Sequence, residues 1–360
     1  MSILSNEAVS IQGLKIESID VAFPAQTQGM VHFEVAPGIG ASTVALDANV
    51  RGKVVHVFPK RDLQIMDAMI ALDPNYAFKQ VNVPLFPLSN RLLPENYFAR
   101  MLLKKGENFE AKVEGISVKM PLNNVAGTNE AIPHHLHGLA FNQLASKVET
   151  QTDENVNSVV MEIEDFFQGY WTGKASLQIE QGIKDGIFFY TLRAKNTGDS
   201  LLPAGFGSHP YFQMPSGNPS SVKLRIPANE LADIDNLTNV LPKGTLSSTS
   251  SNDNRLNFSQ LKSLPTGVID NYFILDPKQK KEIELVDEEA GIRYRFTALT
   301  PNIIGAQVFY PGQGSVIALE FVTHHPDPRA ELWKKLPTGM QVLKPGEIAE
   351  YSYQISVEIL

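Results

Sequence analysis

Apolar and polar residues alternate one by one through much of this chain, and helical spacing is scarce. The runs Ala111-Lys112-Val113-Glu114-Gly115-Ile116-Ser117-Val118-Lys119-Met120 and Val222-Lys223-Leu224-Arg225-Ile226 switch between apolar and polar residues as half-buried strands do. That period sets one face of a strand against a core and the other toward water. Between Lys281 and Thr297, Glu288-Glu289-Ala290-Gly291 separates two alternating arms and reads as a hairpin turn. A second hairpin is expected around Lys184-Asp185-Gly186, between Ala175 to Gln181 and Ile187 to Ala194. Only Asp62 to Leu72, cut by Pro74, and Arg329 to Lys335 have the spacing for a few helical turns. Residues 243 to 257, with Ser247, Ser248, Thr249, Ser250, Ser251 and Asn252, read as an exposed loop. Many short strands with turn residues between them predict an all-β fold, a large antiparallel β-sandwich with a few short helices. No flexible linker divides the chain, so residues 1 to 360 are expected to form a single domain, and no repeat of fixed period points to a propeller or solenoid.

Composition narrows the function. A 43% hydrophobic content with 19% charged residues supplies a sizeable core and argues against disorder. Thirty-one basic against 39 acidic residues give a formal charge of −8, with no dense Lys/Arg run to meet phosphates or lipid headgroups. Nucleic acid and membrane partners are therefore not expected. The absence of cysteine excludes disulfides, thiolate nucleophiles and thiolate-ligated metals. No basic-then-apolar leader is visible and no stretch reaches 18 apolar residues, so a cytoplasmic protein is expected.

Six of the eight histidines fall at three places: His134, His135 and His137, then His209, then His324 and His325. His324 and His325 are expected in an exposed turn without a role. An alternative joins His135 and His137, on one face of a strand, with His324 or His325 as a three-histidine metal site. His209 differs, because Gly207 precedes it and Pro210-Tyr211-Phe212 follows, a setting that holds a side chain at a strand entrance. Glu320 is a carboxylate inside the apolar strand Val316-Ile317-Ala318-Leu319-Glu320-Phe321-Val322. Burial there lifts a carboxyl toward neutrality, which suits proton transfer, and the structural alternative is a Glu paired with an Arg.

Asn196-Thr197-Gly198-Asp199, Leu202-Pro203 and Gly207-Ser208-His209-Pro210-Tyr211-Phe212 together resemble the aldose 1-epimerase (galactose mutarotase-like) family. Other elements that resemble it occur in the family's order: Asn90-Arg91, Leu136-His137-Gly138, Asp270-Asn271-Tyr272-Phe273 and Leu319-Glu320-Phe321-Val322-Thr323. The resemblance runs from about Pro84 to Glu347. It implies a mutarotase that interconverts the α and β anomers of a free aldohexose, a small-molecule substrate, without metal or cofactor. By that resemblance Glu320 is the base toward the anomeric hydroxyl and His209 the acid toward the ring oxygen. Arg91, His137, Asp270 and Asn90 are implied to bind the sugar.

The sequence departs from the family pattern in places. Phe321 stands where Pro is commoner, Gly169-Tyr170-Trp171 where Tyr-Pro is usual, and Leu92-Leu93-Pro94-Glu95-Asn96-Tyr97-Phe98 replaces a Gly-Arg-Phe-like turn. These positions leave the preferred aldose open. A hexose-6-phosphate 1-epimerase would need a basic pocket, for which Arg91 and Arg100 are the candidates. A non-catalytic carbohydrate-binding domain would keep the sandwich without turnover. A glycosidase would need two acidic groups across the bond, whereas the pair here is one carboxylate and one imidazole. Trp171 is expected in the core rather than stacked on a pyranose.

Overall fold

The computed structural model describes residues 28–95, 104–124, 132–152, 156–250, 254–334 and 336–360, with short strands at Leu4–Ser5 and Ile19–Ala22. Two large antiparallel sheets dominate the described residues. One is nine-stranded and runs Lys147–Thr152, Val156–Glu164, Ala175–Lys184, Ile187–Asn196, Ile348–Ile359, Ile292–Ala298, Glu282–Asp287, Val222–Arg225, Lys262–Ser263. The other is eight-stranded, in the order Pro242–Ser248, Ala228–Ile234, Ile269–Leu275, Gly305–Tyr310, Val316–Val322, Gly207–Ser208, Pro84–Leu85, with Tyr211–Gln213 also pairing to Val316–Val322. A five-stranded sheet ending in Gly29–Ala36, Ser42–Val50 and Lys53–Phe58 packs Phe33 and Phe58 against Phe188. No helix among the described residues is long and apolar enough to cross a membrane.

Alternation along Val316–Val322 decides how the large sheets meet. Ile317, Leu319 and Phe321 face the nine-stranded sheet, where Phe321 stacks on Phe296 at 4.2 Å between ring centres. Tyr351, from that sheet, donates its hydroxyl to the Phe321 carbonyl at 2.8 Å. Burying a side chain of this size contributes roughly 1.5–3 kcal/mol. The same period turns Glu320 to the opposite face, away from the apolar filling.

Both hairpins appear: Ala175–Lys184 turns at Asp185-Gly186 into Ile187–Asn196, and Glu282–Asp287 returns as Ile292–Ala298. The Asp62 to Leu72 helix forms as Leu63–Leu72, with Asp62 capping it through bonds from the Gln64 and Ile65 amides at 2.9 and 3.1 Å.

Three expectations are corrected. Ala111 to Met120 is not one strand but parts of two, Asn108–Val113 and Ile116–Pro121, turning at Glu114 and Gly115 with φ of 51° and 76°. A two-residue turn sets Val113 opposite Ile116, so the buried positions pass from odd (Phe109, Ala111, Val113) to even (Val118, Met120) across it. The polar stretch 243–257 is not wholly loop, because Pro242–Ser248 is an edge strand whose Thr245 and Ser247 hydroxyls bond to Asp233. Among the described residues of 329–335 there is a turn, not a helix. The buried Trp333 indole draws it closed by donating to the Pro326 and Asp327 carbonyls at 3.1 and 3.2 Å.

Candidate active site

A cavity of about 150 Å³ opens on the outer face of the eight-stranded sheet. An apolar cavity of about this volume holds one six-membered ring such as benzene. Strand register assembles much of its floor. Gln307 pairs with Glu320, and Phe309 pairs with Asp270 on the next strand, so all four side chains share one face. His209 enters from the other side. Gly207–Ser208 and Tyr211–Gln213 both pair with Val316–Val322, and His209-Pro210 forms the break between them. The His209 amide donates to the Val83 carbonyl, and the Leu319 amide donates to Pro210, each at 3.2 Å. Opposite, Arg91–Leu92 pairs with His135–Leu136, and His137 follows in the left-handed region at φ 69°.

His209 Nε2 stands 3.3 Å from Glu320 Oε1, and the two side chains are 6% and 2% exposed. Their remaining polar atoms, His209 Nδ1 and Glu320 Oε2, are buried without a hydrogen-bond partner. Native interiors rarely leave such atoms unsatisfied, at a cost of roughly 1–3 kcal/mol each, and exceptions cluster where a ligand completes the set. Burial raises the Glu320 carboxyl well above its ordinary range, reinforced by the negative charge of Asp270. Burial also pushes His209 down to about 4. The contact is therefore one between neutral groups in the ligand-free protein rather than an ion pair, because a charged pair would be desolvated with half its hydrogen bonds unmade. Tyr211 stacks on the His209 ring at 4.7 Å, and the His137 ring meets it edge-on at 5.1 Å.

Arg91 donates Nε to the Asn239 carbonyl at 3.1 Å, one terminal nitrogen to Asn90 Oδ1 at 3.2 Å and the other to Asp270 Oδ2 at 3.5 Å. A guanidinium has five donors, so these three bonds leave two for oxygens in the cavity. Burial raises Asp270 above the ordinary carboxyl range, opposed by Arg91 and by a hydrogen bond from Gln307. His137 donates Nδ1–H to the Ser89 carbonyl at 2.9 Å, which leaves Nε2 as an acceptor. Burial lowers His137 well below 6.5, with His209 as the next contributor.

Glu320, His209, Arg91, His137 and Asp270 thus line one cavity. Asn90 does not: it is fully buried, its Oδ1 accepts from the Arg91 amide and guanidinium, and its amide donates to Gln307. It holds Arg91 in place. Gln307, Phe78, Tyr211 and Phe309 also line the cavity and were not singled out from the sequence. Gln307 carried the signal that marked Glu320, a lone polar side chain in the apolar run Ala306 to Phe309.

The three-histidine site is not assembled as expected. Both ring nitrogens of His135 face backbone carbonyls, of Pro121 at 2.7 Å and Gly138 at 2.9 Å, and burial lowers the ring to about 4, so its single proton is shared with one of them and neither nitrogen turns to the cavity. His324 and His325 are buried rather than exposed, at 0% and 5%. His325 packs on Trp333 at 4.6 Å, away from the cavity lining. Among the described residues, the group with ligand atoms close enough for an ion is His137, His209 and Glu320, all within 4.8 Å. Trp171 is a core residue, 5% exposed, whose indole donates to the Pro203 carbonyl at 2.8 Å. Arg100 lies outside the described residues.

A strand-built sandwich with a buried carboxyl–imidazole pair at a ring-sized cavity defines the class of protein. The chain belongs to the aldose 1-epimerase family, whose model matches residues 97–356. Several solved structures share the fold at low identity. A galactose mutarotase-like protein from Clostridium acetobutylicum is 16% identical over 99% of both chains, with a TM-score of 0.77. Galactose 1-epimerase from Lactobacillus acidophilus is also 16% identical over 99% of both chains, with a TM-score of 0.70. An aldose epimerase homologue from C. elegans is 16% identical over 95% of this chain and 99% of its own, at 0.68. No curated protein matches in sequence.

Proposed function

We propose that this protein is an aldose 1-epimerase that interconverts the anomers of a free aldohexose by opening and re-closing the ring. The observation that carries the reading is the pair of unpartnered buried atoms, His209 Nδ1 and Glu320 Oε2, on two groups 3.3 Å apart at the cavity. Glu320 takes the proton from the anomeric hydroxyl while His209 gives one to the ring oxygen. The bond from the anomeric carbon to the ring oxygen breaks and an aldehyde forms. Rotation of the aldehyde and the reverse transfers close the other anomer: Glu320 returns its proton to the anomeric oxygen and His209 recovers one from the hydroxyl that becomes the ring oxygen.

The neutral resting pair fits this cycle. Hydroxyls of the bound sugar that donate to Glu320 stabilise its carboxylate, and the transferable proton moves along the 3.3 Å contact to His209. Arg91 supplies donors to sugar oxygens, while His137 and Asp270 accept from sugar hydroxyls. With its proton committed to Ser89, His137 meets the sugar as an acceptor. Residues 1–360 are read as one domain because the large sheets and the N-terminal sheet share a continuous core.

An unphosphorylated sugar is favoured by charge. Two carboxyl groups line the cavity, Arg91 bonds one of them, Asp270, and the other cation among the described lining residues, Lys79, lies 3.4 Å from Asp73. Polarimetry on freshly dissolved α-anomers of several aldoses and their 6-phosphates, with and without a chelator, tests the reading. Catalysed mutarotation of a free aldose that persists in chelator is expected. No acceleration with any free aldose would refute it.

A further inference from the structure

The polarity of one buried hydrogen-bond chain is set by backbone groups rather than by side chains. His324 Nδ1 faces the His325 carbonyl at 2.7 Å, and a carbonyl can only accept, so the proton of this ring is on Nδ1. Its Nε2 therefore carries a lone pair, which accepts from the Ser89 amide at 2.8 Å and lies 2.9 Å from the Ser89 hydroxyl. The carbonyl of the same Ser89 then accepts from His137 Nδ1 at 2.9 Å. Donors and acceptors alternate in one direction, from His324 through Ser89 to His137.

The fold makes room for this chain at the glycines ahead of His209. A Cβ on Gly205 would stand 2.3 Å from the His324 ring, and one on Gly207 would stand 2.7 Å from Ser89 Cβ. A Cβ on Gly339 would stand 3.0 Å from His324 Cα and closer still to the Thr323 carbonyl. Burial lowers His324 to about 4, so the ring stays neutral and keeps its acceptor at physiological pH.

We propose that His324 is a positioning residue that holds the Ser89 backbone and so seats His137, whose Nδ1 proton the Ser89 carbonyl fixes, with His137 Nε2 presenting a lone pair to a sugar hydroxyl. The sugar position that meets His137 must then carry a hydroxyl that donates, which makes this histidine a selector of substrate as well as a contact. The role in substrate selection rests on the epimerase reading, whereas the tautomer does not.

Long-range ¹H–¹⁵N NMR of the histidine rings in the ligand-free protein tests the proposal independently of turnover. Wild-type His137 is expected with its proton on Nδ1 and none on Nε2 at neutral pH. In His324→Phe, which removes the acceptor, the Ser89 backbone loses its hold, so the His137 Nδ1–H signal should shift and KM for the aldose should rise about tenfold, with kcat changed less than about threefold. In His324→Gln, whose side-chain oxygen reaches the place of Nε2 and accepts from Ser89, the Nδ1–H signal should return to its wild-type position and KM to within about threefold of wild type. A proton on Nε2 of wild-type His137 would overturn the proposal, and this reading decides the matter even if His324→Phe fails to fold. An unshifted Nδ1–H signal with unchanged KM in a folded His324→Phe would overturn it equally. Wild-type protein with the expected tautomer but no mutarotation would refute the epimerase reading alone.

Discussion

Glu320→Gln and His209→Asn should each slow mutarotation at least about a hundredfold, since a positioned general acid or base contributes roughly 10²- to 10⁴-fold. Glutamine keeps the shape and a hydrogen bond to His209 but cannot carry the proton. Loss of activity should come with a gain in stability, which separates chemistry from misfolding. The folded Glu320 carboxyl lies well above 4.5 because of burial. A group whose folded value is raised contributes stability below its unfolded value and loses it as pH rises through the folded value. Wild type therefore weakens on that rise and the variant does not. Urea unfolding should show Glu320→Gln more stable by about 0.5–2 kcal/mol at pH 8, with the difference shrinking toward pH 4. Near wild-type rates in either variant, measured by polarimetry, would remove the pair from the mechanism.

Arg91→Met should cost the fold about 3 kcal/mol, because it leaves Asp270 as a buried carboxylate without its cation. The Arg91 and Asp270 side chains are only 10% and 18% exposed, and their contact is 3.5 Å. The deficit should depend on pH with a definite sign. Asp270 is already raised by burial and restrained by Arg91, so losing the guanidinium raises it further. The stability of the variant should then approach wild type below the ordinary carboxyl value of 3.8, where the group is protonated folded and unfolded, and fall away as pH rises. Adding Asp270→Asn should recover most of the loss, since the uncompensated charge is then gone. A deficit that is flat with pH and survives the second substitution would mean that the lost bonds to Asn90 and Asn239, not the charge, carry the effect.

Glu320 and His209 could be found in the sequence because each breaks a local rule: a carboxylate in an apolar strand, and a histidine set between Gly207-Ser208 and Pro210. Such conflicts are where sequence patterning gives way to function. The alternating arms likewise exposed both hairpins at Asp185-Gly186 and Glu288 to Gly291. What stayed hidden depended mostly on distance in the chain. The Glu114-Gly115 turn is written in the sequence, where apolar residues pass from odd positions (Ala111, Val113) to even ones (Ile116, Val118, Met120), a shift that reading the whole run as one alternation passes over. His324 and His325 looked like surface residues because their partners, Ser89 and Tyr272, lie far away in sequence. Asn90 could not be told from a ligand contact, since its role becomes visible only when Arg91 is seen bonded to it. The serine-rich edge strand Pro242–Ser248 is polar because its hydroxyls meet Asp233 on the neighbouring strand rather than a core.

The placement of a sugar between the two proton-transfer groups is tested most directly by a crystal structure of Glu320→Gln with a bound aldose. The anomeric oxygen should lie about 3 Å from the residue 320 side chain and the ring oxygen within the same reach of His209. A sugar bound in the cavity with its anomeric carbon turned away from both residues, or bound elsewhere on the molecule, would contradict the account.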